Sequence, residues 1–151
     1  MRVATLLFLI EDGKILLANK KRGYGVGLWN GVGGKVNQFE SIEEAVKREC
    51  YEEISVEPKK IQKRAFIEFK GESESDDFEV HVYTSTKWVG NPKESEEMNP
   101  KWFKIESIPY SKMWSDDSYW LPHLINGKNF NAKFKLNSKN EIISHAIIFS
   151  N

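Results

Sequence analysis

The chain has 151 residues, and its 22 Lys and Arg residues balance 22 Asp and Glu residues, so the formal net charge is zero. This balance provides no basic field for a nucleic-acid backbone, and no apolar run approaches membrane-spanning length, so we expect neither partner. Cys50 is the only cysteine and Met1 leads directly into a strand without a targeting segment, which excludes intramolecular disulfides and favours the cytoplasm, with a mitochondrial or nuclear fraction left open.

Hydrophobic periodicity and turn residues predict one domain over residues 1–151. Strands are expected at residues 3–10, 14–18, 61–69, 78–88, 102–105, 130–136 and 142–149. A glycine-rich loop is expected at residues 20–34, and helices are expected at residues 41–54 and 116–125. Strands outnumber helices, so the pattern predicts a mixed α/β (α+β) fold with helices packed on a central, largely antiparallel or mixed sheet.

The first predicted helix carries three acids on its apolar side. Ser41 and Glu44 form a capping-box pattern that places the start of the helix at Ser41. On a helical wheel Glu52 and Glu53 lie within about 60° of Glu49, on the same stripe as the apolar residues of the first two turns. The sequence therefore predicts that the three acids face the protein, although an ordinary solvated acidic face is the alternative.

Clustered inward carboxylates need positive charge, because burying one unpaired carboxylate costs several kcal/mol and three of them repel one another. Arg48 can pair with Glu52 across one turn, but one arginine cannot neutralise three acids. A divalent cation with oxygen ligands does so, and Mg²⁺ or Mn²⁺ suits carboxylates. The sequence thus predicts a Mg²⁺ site, at which Mn²⁺ can substitute.

The glycine-rich loop before this helix matches neither a P-loop nor a dinucleotide-binding pattern. Taken alone, it is equally well explained as a series of turns. Beside an acidic helix, its glycines would let the backbone approach a metal or phosphate closely. We expect the Gly33 carbonyl to be a metal ligand and Lys35 to supply a cation.

The residues from Gly34 to Val56 resemble the Nudix box, Gly-x5-Glu-x7-Arg-Glu-apolar-x-Glu-Glu-x-Gly-apolar. Gly34, Glu40 and Arg48 occupy its fixed positions, as do the three acids, and only the last glycine differs, being Ser55 here. The resemblance implies a Nudix-type α/β/α sandwich. It also implies an enzyme that cleaves a nucleoside diphosphate linked to another group.

Aromatic and acidic residues outside the box indicate what is bound. Trp114 is followed by Ser115, Asp116 and Asp117, and Asn30 lies in the glycine-rich loop. An indole stacks on a purine, and adjacent carboxyls can meet the Watson–Crick edge of a base. The alternatives are that the aromatic residues belong to the core and that Asp116 is only a helix N-cap.

Segments along nearly the whole chain resemble the animal oxidised purine nucleoside triphosphatases within the Nudix family, with Tyr24 in place of phenylalanine and Ser115 in place of proline. The resemblance implies hydrolysis of 8-oxo-dGTP, 2-hydroxy-dATP and 2-hydroxy-ATP to the monophosphate and pyrophosphate by a monomer that sanitises the nucleotide pool. It also implies substrate contacts by Thr5, Lys20, Asn30, Val32, Gly33, Gly34, Lys35, Trp114, Ser115, Asp116 and Asp117.

The same resemblance implies the distribution of catalytic roles. Metal ligands would be Gly33, Glu49, Glu52, Glu53 and Glu97, with Glu53 or Glu97 as the proton acceptor. Arg48 would orient a ligand carboxylate, Lys35 would offset phosphate charge, and Glu40 would brace the loop against the helix. Three alternatives remain: a Nudix enzyme for another nucleoside diphosphate derivative, a catalytically silent nucleotide sensor, and a plain structural or interaction domain.

Overall fold

The computed structural model describes residues 2–150. Its strands are β1 Arg2–Glu11, β2 Lys14–Lys20, β3 Trp29–Asn30, β4 Glu57–Pro58, β5 Ile61–Lys70, β6 Phe78–Ser85, β7 Trp88–Val89, β8 Met98–Lys104, β9 Asn129–Leu136 and β10 Ile142–Ser150. Its α-helices are α1 Ile42–Ile54 and α2 Asp117–Ile125, and short 3₁₀ turns occupy Glu74–Asp76, Ile105–Ser107 and Tyr110–Lys112.

Eight strands form one mixed sheet in the order β10-β9-β5-β6-β1-β2-β3, with β8 also paired to β2. The β1–β6 and β5–β9 pairs are parallel, whereas the hairpin pairs and β5–β6 are antiparallel. Strands β1 and β2 pair only next to their turn, from Ile10 opposite Ile15 to Glu11 opposite Lys14. The two strands diverge beyond that point, and the glycine-rich segment after β3 bridges to β1 at Leu7 and Ala4.

The sheet has a hydrophobic core on each face, because successive side chains of a strand point to opposite sides. In β1, Phe8 packs with Trp120 and Leu121 of α2, whereas Leu7 and Leu9 pack with Val46 of α1. One helix therefore covers each face. The predicted α/β/α sandwich with a central mixed sheet is confirmed.

Both ends of α1 are fixed by local chemistry. The Ser41 side chain accepts a hydrogen bond from the Glu44 N–H, and the Glu44 side chain accepts one from the Ser41 N–H, so the predicted capping box is present. The helix ends at Ile54, and the C-cap residue Ser55 has a left-handed φ of 62°. This is the position at which the Nudix box has glycine, which adopts that conformation without strain.

One predicted element is wrong in extent. The strand expected at residues 102–105 begins at Met98 and includes Pro100. Proline is tolerated because β8 is an edge strand that pairs only with β2, so the missing N–H interrupts no second ladder. The other predicted strands and helices are present within a few residues of their expected limits, except that the strand expected at residues 78–88 is divided into β6 and β7.

Candidate active site

The acids of α1 occupy three different environments. Glu53 is 4 % exposed, and the Glu49 side chain is 16 % exposed. The Glu52 side chain is 57 % exposed, so the prediction that all three acids are tucked inward is wrong for this residue. The buried side of α1 is centred between Val46 and Glu53, and Glu52 lies at its margin, from which a long side chain reaches solvent.

Arg48 forms hydrogen bonds with three surrounding carboxylates. Its guanidinium donates two hydrogen bonds to Glu40, at 2.6 and 3.0 Å, and one each to Glu49 at 2.9 Å and Glu52 at 3.2 Å. It also donates to the Lys35 carbonyl at 3.1 Å. Arg48 therefore connects the helix to the loop before it through Glu40, as expected, and holds two of the predicted metal ligands. Their roles in catalysis stay predictions.

The glycine-rich segment lies directly against the helix acids. The Gly33 N–H donates to Glu53 Oε1 at 2.9 Å. A Cβ at Gly33 would lie 1.9 Å from the Thr5 carbonyl oxygen, and one at Gly34 would lie 2.7 Å from the Glu49 carboxyl carbon. Gly33 therefore requires glycine, because the clash is with backbone, whereas a side chain at Gly34 would displace the Glu49 carboxylate. Among the described residues the Gly33 carbonyl accepts no hydrogen bond, whereas the Val32 and Gly34 carbonyls each accept one from β1, which leaves Gly33 able to bind a cation.

Val32 does not belong to the substrate surface. Its side chain is 2 % exposed in the core beneath α1, and its N–H and carbonyl both pair with Leu7. The prediction that it contacts the nucleotide is therefore wrong. The segment runs antiparallel to β1, and its alternation directs Val32 into the core.

Burial and neighbouring acids perturb the carboxyls of this corner. Burial raises the pKa of Glu53 to about 8, with the charges of Glu49 and Glu97 acting in the same direction and the Gly33 N–H acting against them. Burial likewise raises the pKa of Glu49, against the hydrogen bond from Arg48 and with the charge of Glu97. Glu97 thus lies near both helix acids although it belongs to the loop before β8.

A hard divalent cation fits this donor set, because the carboxylates of Glu49 and Glu53 are partly desolvated, face Glu97 and have a free carbonyl beside them. Within residues 2–150, however, no three acidic, histidine or cysteine side chains stand close enough together to hold a metal ion. Each acid also has a protein partner: Arg48 donates to Glu49, the Gly33 N–H donates to Glu53, and Arg22 lies 3.6 Å from Glu97.

A cavity of about 820 Å³ lies on the α2 face of the sheet. Gly33 and Gly34 line it and also contact the helix acids, so the cavity and the acidic corner share one segment. Ten of the eleven predicted substrate contacts are in the lining: Thr5, Lys20, Asn30, Gly33, Gly34, Lys35, Trp114, Ser115, Asp116 and Asp117. The residues that the sequence predicted to share one site therefore do line one cavity, but which of them contact a ligand stays a prediction.

The two aspartates at the start of α2 differ in their partners. Asp116 Oδ2 accepts a hydrogen bond from the Trp120 indole N–H at 2.8 Å and does not cap the helix, which removes the N-cap alternative. Asp117 is 2 % exposed, and its Oδ2 has no hydrogen-bond partner among the described residues. Burial raises the pKa of both carboxyls, and the charge of Asp116 raises that of Asp117 further. A neutral Asp117 can donate a hydrogen bond into the cavity.

Sequence reasoning missed the apolar wall of the cavity. It consists of alternate residues of the central strands, namely Leu6, Ile67, Phe69, Phe78 and Val80. Their period of two identifies one sheet face, but only the folded chain brings β1, β6 and β5 together and places this face in one cavity with Asp116. Asn30 adds a polar group to the lining: its Oδ1 accepts a hydrogen bond from the Gly31 N–H, which directs its amide NH₂ away from its own backbone.

The family model for the NUDIX domain matches residues 1–124. The chain belongs to the Nudix family. Two curated relatives named oxidized purine nucleoside triphosphate hydrolase, from Danio rerio and Mus musculus, are each 39 % identical over 146 residues, covering 97 % of this chain and 94 % of the relative. A solved MutT protein from Bacillus halodurans shares the fold, with a TM-score of 0.87 at 23 % identity over 97 % of each chain.

No helix among residues 2–150 combines the length and the hydrophobicity required to cross a bilayer.

Proposed function

We propose that this Nudix protein hydrolyses oxidised purine nucleoside triphosphates to the monophosphate and pyrophosphate. The observation that carries the proposal is the joining of two sites by one glycine segment: Gly33 and Gly34 line a cavity large enough for a nucleotide and contact Glu53 and Glu49. A nucleotide whose base fills the cavity would place its phosphates along this segment. The similarity to the relatives from Danio rerio and Mus musculus supports the same substrate class.

Base selection is assigned to the aspartate pair. An unmodified purine and its oxidised form differ in the donors and acceptors at their edges, so the protein needs a group that can both donate and accept. Asp116 and Asp117 provide this when one of them is protonated, and burial favours that state. The Asn30 amide and the Trp114 indole would hold the base on its other edges and face.

Catalysis is assigned to the acidic corner. Bound divalent metal, Mg²⁺ with Mn²⁺ as a substitute, would be held by Glu49, Glu52, Glu53, Glu97 and the Gly33 carbonyl and would supply Lewis-acid activation of water and phosphate. Arg48 fixes Glu49 and Glu52 through its hydrogen bonds, and Glu40 fixes Arg48. Glu53 or Glu97 accepts the proton of the attacking water, and Lys35 offsets negative charge on the phosphates. A cytoplasmic monomer accords with this role.

The deciding experiment compares kcat/KM with Mg²⁺ for 8-oxo-dGTP, 2-hydroxy-dATP, 2-hydroxy-ATP and unmodified dGTP, with detection of pyrophosphate. We expect the oxidised substrates to exceed dGTP by at least about tenfold, the effect of one well-placed buried hydrogen bond. Faster turnover of dinucleoside polyphosphates or ADP-ribose would favour another Nudix specificity. Binding without turnover would indicate a silent sensor.

A further inference from the structure

The mouth of the cavity is crossed by a contact that the proposed chemistry does not use. The Asn140 side-chain amide donates a hydrogen bond to the Tyr24 hydroxyl at 2.8 Å, joining residues 116 positions apart. Tyr24 belongs to the glycine-rich loop and Asn140 to the turn between β9 and β10, and both line the cavity. The bond therefore links two opposite segments of its rim.

The turn that carries Asn140 is braced. The Asn137 side chain accepts hydrogen bonds from the Lys139 and Glu141 N–H groups at 2.9 and 3.0 Å. The Ser138 N–H donates to Glu72 Oε1 at 3.1 Å, which anchors the turn to the loop between β5 and β6. Two hydrogen bonds within the turn and one to the neighbouring loop thus hold this side of the rim.

On the other side of the rim, Tyr24 lies in a turn flanked by two glycines. Tyr24 lies between Gly23 and Gly25, whose φ values of 82° and 86° are conformations that side-chain-bearing residues rarely adopt. The Tyr24 ring is 71 % exposed and packs on the Trp114 ring with centroids 5.1 Å apart. A Cβ at Gly25 would lie 2.9 Å from Trp114, so the loop rests closely on the indole. The Tyr24 side chain thus packs on Trp114, and the hydrogen bond from Asn140 joins it to the turn between β9 and β10.

We propose that the Tyr24–Asn140 hydrogen bond is a latch that closes the cavity over a bound oxidised purine nucleotide, which makes Tyr24 a positioning residue. The inference rests on the proposed function, because it takes the cavity as the base site. A bound base can leave only when the mouth of the cavity is open. A hydrogen bond that keeps the mouth closed therefore slows dissociation of the nucleotide, even if the same bond also forms in the empty cavity. It depends on the phenol oxygen, which phenylalanine lacks.

The test is a displacement experiment without metal, so that no turnover interferes. The probe is 8-oxo-dGMP, followed by tryptophan fluorescence in a stopped-flow instrument for the wild-type chain, Tyr24→Phe, Asn140→Gly and the double variant. Glycine at position 140 keeps the left-handed backbone, where φ is 61°. Tyr51→Phe, at a similarly exposed tyrosine on the solvent side of α1, is the matched control.

We expect each single variant to raise the dissociation rate about fivefold and the double variant to raise it no further, because both changes remove the same bond. The melting temperature should stay within about 2 °C, since an exposed hydrogen bond contributes little to folding. An unchanged rate in Tyr24→Phe, or effects that multiply in the double variant, would overturn the latch. A wild-type chain that does not bind 8-oxo-dGMP also overturns the latch, because the cavity is then not the base site, whereas the proposed function fails only if 8-oxo-dGTP is not hydrolysed with Mg²⁺.

Discussion

Glu53 is the residue at which burial and function conflict most directly. It is a carboxylate that is 4 % exposed, with one backbone N–H donor at 2.9 Å and with Glu49 and Glu97 nearby. Such a group destabilises the fold whenever it is ionised without a cation. In the proposed function a divalent metal bound beside this carboxylate would offset that cost.

We predict that Glu53→Gln lowers kcat by at least about a hundredfold and raises the stability of the metal-free protein at pH 8 by about 1 kcal/mol or more. Glutamine keeps an acceptor for the Gly33 N–H but carries no charge. The measurements are steady-state kinetics with 8-oxo-dGTP and thermal melting in EDTA. Addition of Mg²⁺ should raise the melting temperature of the wild type and have little effect on the variant. Near-full activity in the variant would remove Glu53 from the site.

The aspartate pair gives a second prediction at this scale. Asp117→Asn fixes one carboxyl as a permanent donor and acceptor, and Asp116→Asn weakens the acceptor of the Trp120 indole N–H. Both variants should change the ratio of kcat/KM for 8-oxo-dGTP and 2-hydroxy-dATP by about tenfold or more, while the Mg²⁺ concentration for half-maximal rate stays the same. If the ratio is unchanged in both, Asp116 and Asp117 do not read the base.

Among the elements, α1 shows what sequence can specify. Its start follows from Ser41 and Glu44, which are three residues apart and interact locally, and the wheel correctly places Glu49 and Glu53 on its buried side. The wheel failed at Glu52, because the centre of the buried arc depends on how the helix lies on β1 and β8. Contacts between distant segments, such as Tyr24 with Asn140, have no local signal and follow only from the assembled sheet.

Substitutions at the two caps of α1 should change the free energy of unfolding in opposite directions. Ser55→Gly should raise the free energy of unfolding by about 1 kcal/mol, because glycine adopts the observed φ of 62° without a side-chain clash. Ser41→Ala should lower it by about 1 kcal/mol through loss of the hydrogen bond to the Glu44 N–H. Urea unfolding monitored by circular dichroism measures both. A destabilised Ser55→Gly protein would show that the serine side chain makes a contact worth more than the backbone strain.

At the scale of the whole molecule, net charge does not set the pH dependence of stability, because the chain is neutral and a few buried acids dominate. Glu49, Glu53, Asp116 and Asp117 all have folded pKa values above their ordinary values, owing mainly to burial. Glu40 and Glu44 behave in the opposite way, because hydrogen bonds lower their pKa values. Their contribution to folding stability is complete once the pH exceeds the ordinary value of 4.5.

We therefore predict that the metal-free protein loses stability as the pH rises from 6 to 9. In this range the folded state holds more protons on the raised acids than the unfolded state does, so unfolding releases protons and is favoured by high pH. The pKa of His81 is lowered in the folded state, so His81 makes stability rise with pH, but only below its ordinary value of 6.5. The pKa of Cys50 is raised to about 12, so Cys50 adds to the loss of stability only near pH 9 and above.

Urea unfolding at constant ionic strength in EDTA, from pH 6 to 9, measures this slope. Glu53→Gln and Asp117→Asn should each make the fall of stability with pH shallower. Saturating Mg²⁺ should also make it shallower in the wild type, because the cation stabilises the ionised carboxylate, but should have little further effect in Glu53→Gln. Lys63→Gln, on the sheet beside His81 and distant in sequence from both acidic sites, is the control that should leave the slope unchanged above pH 7. A flat or rising profile for the wild type would show that these acids are solvated, and the electrostatic basis of both sites would then be lost.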